Sequence, residues 1–162
     1  MRIVLIAGLI ATLALNARAE EKGDLAGKMK EAKVSLEKGI AASKAKGKPI
    51  SAKYEVEDGK LQLSVYTAQG DSFSEVIVDH KTGKVAKAEP ITGGDDLTAA
   101  KAQNGAMSNA RTSLEAAVTK AVKANKGYKA ISVMPSVKDG HPTADVTLMK
   151  GTESKTVPEK LD

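Results

Sequence analysis

Two histidines, two serines that each precede a glutamate by two residues, and a row of lysines are the side chains here with most chemical potential. His80 and His141 each sit beside a turn, with Asp79 or Asp139 near in sequence. A metal would need at least two further ligands at suitable geometry. No His-x-x-x-His pair or carboxylate cluster supplies them, so both histidines read as exposed turn residues. Ser35 and Ser113 could attack a substrate only with an adjacent base held by a third group, and neither histidine is placed to be that base. Both serines read instead as helix N-caps, whose hydroxyl accepts a hydrogen bond from a first-turn amide. The chain has no cysteine, which removes thiolate catalysis, zinc–sulfur sites and disulfides together. Gly-rich phosphate loops are absent. Lys120, Lys123, Lys126 and Lys129 read as a solvated helix face and not as a stripe for an anionic polymer. The expectation is therefore no catalytic residue, no metal and no cofactor.

Composition narrows the partners. Lys and Arg number 25 against 20 Asp and Glu, but two of the arginines lie in an N-terminal segment of special character. Arg2 opens the chain, Ile3 to Leu15 is apolar or small apart from Thr12, and Ala17-Arg18-Ala19 follows. That is the pattern of a secretory signal peptide over residues 1–19, with cleavage near Ala19-Glu20. The apolar run is shorter than the roughly 18 residues a membrane span needs, so no stable span is expected after its removal. The remaining charge is near balance, and one Phe, three Tyr and no Trp leave little for base stacking. Nucleic acid is not an expected partner.

These functional candidates must be positioned by elements that the chain spells out twice, about 80 residues apart. The first statement is Lys33-Val34-Ser35-Leu36-Glu37, then Ile50-Ser51, Val56-Glu57-Asp58-Gly59, and Val78-Asp79-His80-Lys81-Thr82-Gly83-Lys84-Val85. The second is Arg111-Thr112-Ser113-Leu114-Glu115, then Ile131-Ser132 and Val137-Lys138-Asp139-Gly140, without the final turn. Each begins with a helix, the second having the better apolar stripe at Leu114, Ala117, Val118, Ala121 and Val122. Period-two strands follow: Ile50, Ala52, Tyr54 and Val56 alternate with polar residues, and Asp58-Gly59 and Asp139-Gly140 are hairpin turns. Pro135 implies an edge position or a bulge. The fold class is α+β, as two tandem helix-plus-antiparallel-sheet units in the order α-β-β-β. The division is a lead-in at 20–32, a first unit at 33–89, a connection with a short helix at 90–110, and a second, truncated unit at 111–162.

On those quoted motifs the chain resembles the PepSY domain family, in two tandem copies. The likeness covers nearly all of Lys33 to Val85, and its first two motifs recur over Arg111 to Val157. The resemblance implies a non-catalytic, periplasmic or secreted module that binds other proteins and restrains a peptidase. A structural or scaffolding protein of the cell envelope is the alternative, and a small-ligand or metal carrier a more distant one. It carries over no active-site residue. The expected contact surface is a sheet edge, which can accept an extended peptide as an added strand. Beside it, Tyr66, Phe73 and Ile77 are expected either to form an apolar patch or to pack against the second unit.

Overall fold

The computed structural model describes residues 24–162; the expected signal segment lies outside them. Residues 24–28 are helical and tighten into a 3-10 turn, Met29–Glu31. Helix α1, Leu36–Ser43, follows and ends in a second 3-10 turn, Lys44–Lys46. Four strands come next: β1 Lys48–Glu57, β2 Lys60–Gln69, β3 Ser72–Val78 and β4 Val85–Ile91. Helices α2, Gly94–Ser108, and α3, Leu114–Ala124, precede β5 Lys129–Lys138, β6 His141–Lys150 and β7 Glu153–Lys160. Helices and an antiparallel sheet occupy separate stretches of chain, which is the α+β class.

All seven strands form one sheet, in the order β4-β3-β2-β1-β5-β6-β7. The join is antiparallel, with Ala52 opposite Val133 and Lys53 opposite Ser132. Both Ala52 and Val133 are fully buried. Pro135 lies two residues past that short ladder, on a strand otherwise paired to β6. It therefore sits where β5 has parted from β1, which is where a residue without an N–H is tolerated.

Helices α1 and α3 cover one face. Leu36 and Ile40 of α1 and Leu114 and Val118 of α3 are buried, as are Leu63, Val65, Val76, Val146 and Leu148 on the strands beneath. Tyr54, on this same face, donates its hydroxyl proton to the carbonyl of Val34. Helix α2 lies on the opposite face. Its Gln103 hydrogen-bonds the Ser51 hydroxyl at 2.7 Å and lies against Met134. Period-two alternation puts Ser51 opposite Ala52 and Tyr54, so the central strand is covered on both sides. That is why β1 reads as an uninterrupted buried run at Ile50-Ser51-Ala52 although its sequence alternates.

The same local devices occur in both halves. Ser35 accepts from the amide of Lys38 and Ser113 from that of Ala116. The amides of Lys33 and Val34 converge on the carbonyl of His80; those of Arg111 and Thr112 converge on that of Leu161. Register shifts fall between Pro49 and Ser51 in β1 and between Ala130 and Ser132 in β5. Asp58-Gly59 and Asp139-Gly140 both turn with positive φ at each residue, as a type I′ hairpin requires.

The segments expected to be lead-in and connection are structural. Of the expected connection at 90–110, the first two residues belong to β4, and the helix within it is long, running from Gly94 to Ser108 as α2. Upstream, Ala26 and Met29 are buried and line a cavity with Ile131 and Met149. Met29 and Ala32 precede Lys33 at the same spacing as Met107 and Ala110 precede Arg111.

Candidate functional site

The chemically capable side chains do not converge. The Ser35 and Ser113 hydroxyls are occupied as caps. Nδ1 of His141 lies 2.6 Å from the Asp162 carboxylate at the surface, a hydrogen bond that holds Asp162 below the usual carboxylate range. His80 differs from the expected exposed turn residue: it is half-buried, and its Nδ1 is enclosed without a partner. Its turn is held by Asp79, which accepts the amides of Lys81 and Thr82 at 2.8 Å. Among the described residues, no three His, Cys, Asp or Glu side chains are grouped to hold a metal. Lys120, Lys123, Lys126 and Lys129 are exposed, and Lys120 pairs at 2.6 Å with the buried Glu159.

The surface trio separates as well. Phe73 is buried, 5% exposed, and belongs to the core. Tyr66 and Ile77 are half-buried. The Tyr66 hydroxyl donates to Glu75, and the Lys53 ammonium lies 5.7 Å from the ring centre. Burial pushes the Tyr66 phenol up to about 12, with Lys53 opposing. Tyr66 and Lys53 line a small cavity against Ala99, Ala100 and Gln103 of α2, so this side of the first half is covered by the connecting helix.

The sheet edges are poor acceptors for an added strand. The outer strands are β4 and β7; β4 carries Lys87 and Pro90, and β7 carries Lys155, Pro158 and Lys160. Lysines and prolines on an edge discourage pairing by charge and by the missing N–H. The expectation of edge binding loses its main physical support here.

What the architecture does create is a pair of clefts at the two ends of the seam where α1 and α3 lie side by side and antiparallel on their face of the sheet. The larger, about 400 Å³, opens between the C-terminal end of α1 and the N-terminal end of α3. Its apolar lining includes Ile40, Pro49, Met107 and Leu114, and Lys44, Lys48, Arg111 and Glu115 provide its charge. Lys44 pairs with Glu115 across the helices, and the Lys48 ammonium donates to the Met107 carbonyl at 2.8 Å. The smaller cleft, about 200 Å³, lies at the other junction, the start of α1 against the end of α3. Met29, Ala32, Lys33, Glu37, Tyr54 and Tyr128 are among its lining residues. Burial first, and the Glu37 carboxylate second, push the Tyr54 phenol there up to about 12.

The two clefts differ at matched positions. Lys44 stands nine residues after Ser35, and Val122 nine after Ser113. Gly47 precedes Lys48-Pro49-Ile50-Ser51, whereas Tyr128 precedes Lys129-Ala130-Ile131-Ser132. The smaller cleft has thus lost a lysine and gained an aromatic ring. Both clefts are lined by the Met-x-x-Ala segments, Met29 to Ala32 and Met107 to Ala110, which in sequence carry only the marks of a lead-in and a connection. The recurrence of Gly-x-Met-x-x-Ala before Lys33 and Arg111 was the signal available.

No helix among the described residues is long and apolar enough to cross a membrane. Comparison with protein-family models, with curated proteins and with solved structures finds no match to this chain.

Proposed function

We propose that the chain is an exported, non-enzymatic binding protein built from two tandem PepSY-type units, acting on a secreted or periplasmic peptidase by surface fit. The observation that carries the tandem reading is the repeated pair of amides on one carbonyl: Lys33 and Val34 on His80, Arg111 and Thr112 on Leu161. Such a contact ties the entry of each helix to the end of its own strands, so its recurrence supports two copies of one design. The matched N-caps, bulges and hairpin turns support the same reading. The N-terminal charged and apolar pattern supports export.

Binding by surface fit draws most of its energy from a rigid, desolvated pocket that takes an anchor side chain of the partner. The clefts at the helix junctions supply one, and they replace the sheet edges as the contact region. The test is to incubate residues 20–162 with thermolysin-type metallopeptidases secreted by the same cell and to follow both substrate turnover and the protein itself. Slowed turnover with the protein intact is expected. Rapid digestion, or unchanged turnover at saturating protein, would contradict a peptidase partner and favour the envelope-scaffold role.

A further inference from the structure

We propose that the larger cleft binds an acidic peptide segment that inserts one apolar side chain between α1 and α3. The inference deepens the binding reading above and rests on it. Three cationic side chains, Lys44, Lys48 and Arg111, surround the opening, against the single carboxylate of Glu115. Lys44 already neutralises that carboxylate, so the rim retains net positive charge. The first turn of α3 adds to it, since the amino end of a helix favours negative charge. Beneath the rim the floor is apolar: Ile40, Leu114 and Met107 are each 3% exposed or less. A cationic rim over an apolar floor is complementary to an apolar anchor flanked by carboxylates.

The smaller cleft gives the internal control. At its equivalent position Val122 replaces Lys44, so Glu37 does not face the matching lysine, and Tyr128 occupies the place of Gly47. It is half the volume, and its rim has two cations, Lys33 and Lys129, against Glu37, one cation fewer than the larger cleft, so it should hold the same ligand more weakly. One acidic segment per chain is therefore the expected stoichiometry.

The test uses residues 20–162 and a fluorescein-labelled synthetic peptide with one leucine flanked by glutamates, read by anisotropy at low and moderate salt. Controls are the lysine-flanked peptide and the glutamate peptide with serine for leucine. Saturable one-to-one binding is expected, weakened by salt and by loss of either feature. The double variant Lys48→Gln/Arg111→Gln should bind about five- to tenfold more weakly, while Lys123→Gln/Lys126→Gln, exposed and outside the cleft, should not change affinity. Ala110→Trp should block the cleft, and the circular dichroism of each variant checks folding. Amide shifts on binding should cluster around residues 40–49 and 107–115.

No binding of the leucine–glutamate peptide would overturn the proposal, as would binding insensitive to Lys48→Gln/Arg111→Gln and Ala110→Trp in folded variants. Preferential, cleft-dependent binding to phosphatidylglycerol vesicles, or self-association abolished by Ala110→Trp with the peptide ignored, would equally overturn it. Peptidase inhibition unaffected by the cleft variants would sink this site and spare the peptidase reading. Peptide binding without any effect on peptidases would do the reverse.

Discussion

Ala52 and Val133 lie opposite each other where β1 meets β5, and neither exposes any surface. This contact makes one sheet from two stretches of chain that never adjoin in sequence. Helices α1 and α3 also meet above it, through Lys44 and Glu115. Loss of packing on one side should therefore be felt on the other. Leu114→Ala should cost about 2–5 kcal/mol, as deletion of a buried leucine does. Segment-resolved hydrogen exchange should report the loss in β2 and β3 as well as in β6. Loss confined to residues 111–162 would show two independent folding units.

The two serine caps should act alike. Ser35→Ala and Ser113→Ala should each cost about 1 kcal/mol, and Ser→Asp should retain most of it. Denaturant midpoints at constant slope provide the measurement.

Gly39 lies within α1, where replacement by alanine normally gains up to about 1 kcal/mol. Here a Cβ would approach Leu63 Cδ2 to 2.5 Å, and Leu63 is fully buried. Gly39→Ala should therefore destabilise, by about 1 kcal/mol net. Coupling with Leu63→Ala in a double-mutant cycle should recover part of that loss.

Tyr54 links stability to alkaline pH. Its phenol is raised to about 12 from an ordinary value of 10.0, chiefly by burial. Stability from its neutral form is complete below pH 10 and is lost as the pH climbs through 12, because the unfolded chain ionises first. Thermal unfolding of Tyr54→Phe should show a shallower decline across that window, although it loses the hydrogen bond to Val34. Asp79 acts at the acid end. The Thr82 amide, then that of Lys81, holds its exposed carboxyl below 3.8, so its contribution is present above that value and fades as the pH falls through the lowered pKa. Asp79→Asn should therefore differ from the parent at neutral pH and converge with it in acid.

What could be read from sequence was whatever is encoded locally. Ser35 and Ser113 announce their helices, Asp58-Gly59 and Asp139-Gly140 their hairpins, and alternation the strands. The joining of β1 to β5 was not legible, because Ala52 and Val133 carry no local mark of being each other's neighbours. Helix α2 was hard to bound for a different reason: of its fifteen residues only Ala100, Ala106 and Met107 are buried, too few for a stripe. Phe73 looked like surface material because period two gave its strand a second face, and nothing local says that this face is covered. The clefts were hidden for the same reason as the join, since each needs residues from both halves.

The central claim is that the two halves share a single sheet through β1 and β5. Nuclear Overhauser contacts in the intact chain test it most directly. The account predicts cross-strand contacts between the backbones of Ala52 and Val133 and of Lys53 and Ser132, with slow amide exchange on both strands. A fully assigned spectrum in which β1 contacts β2 alone and β5 contacts β6 alone would contradict it.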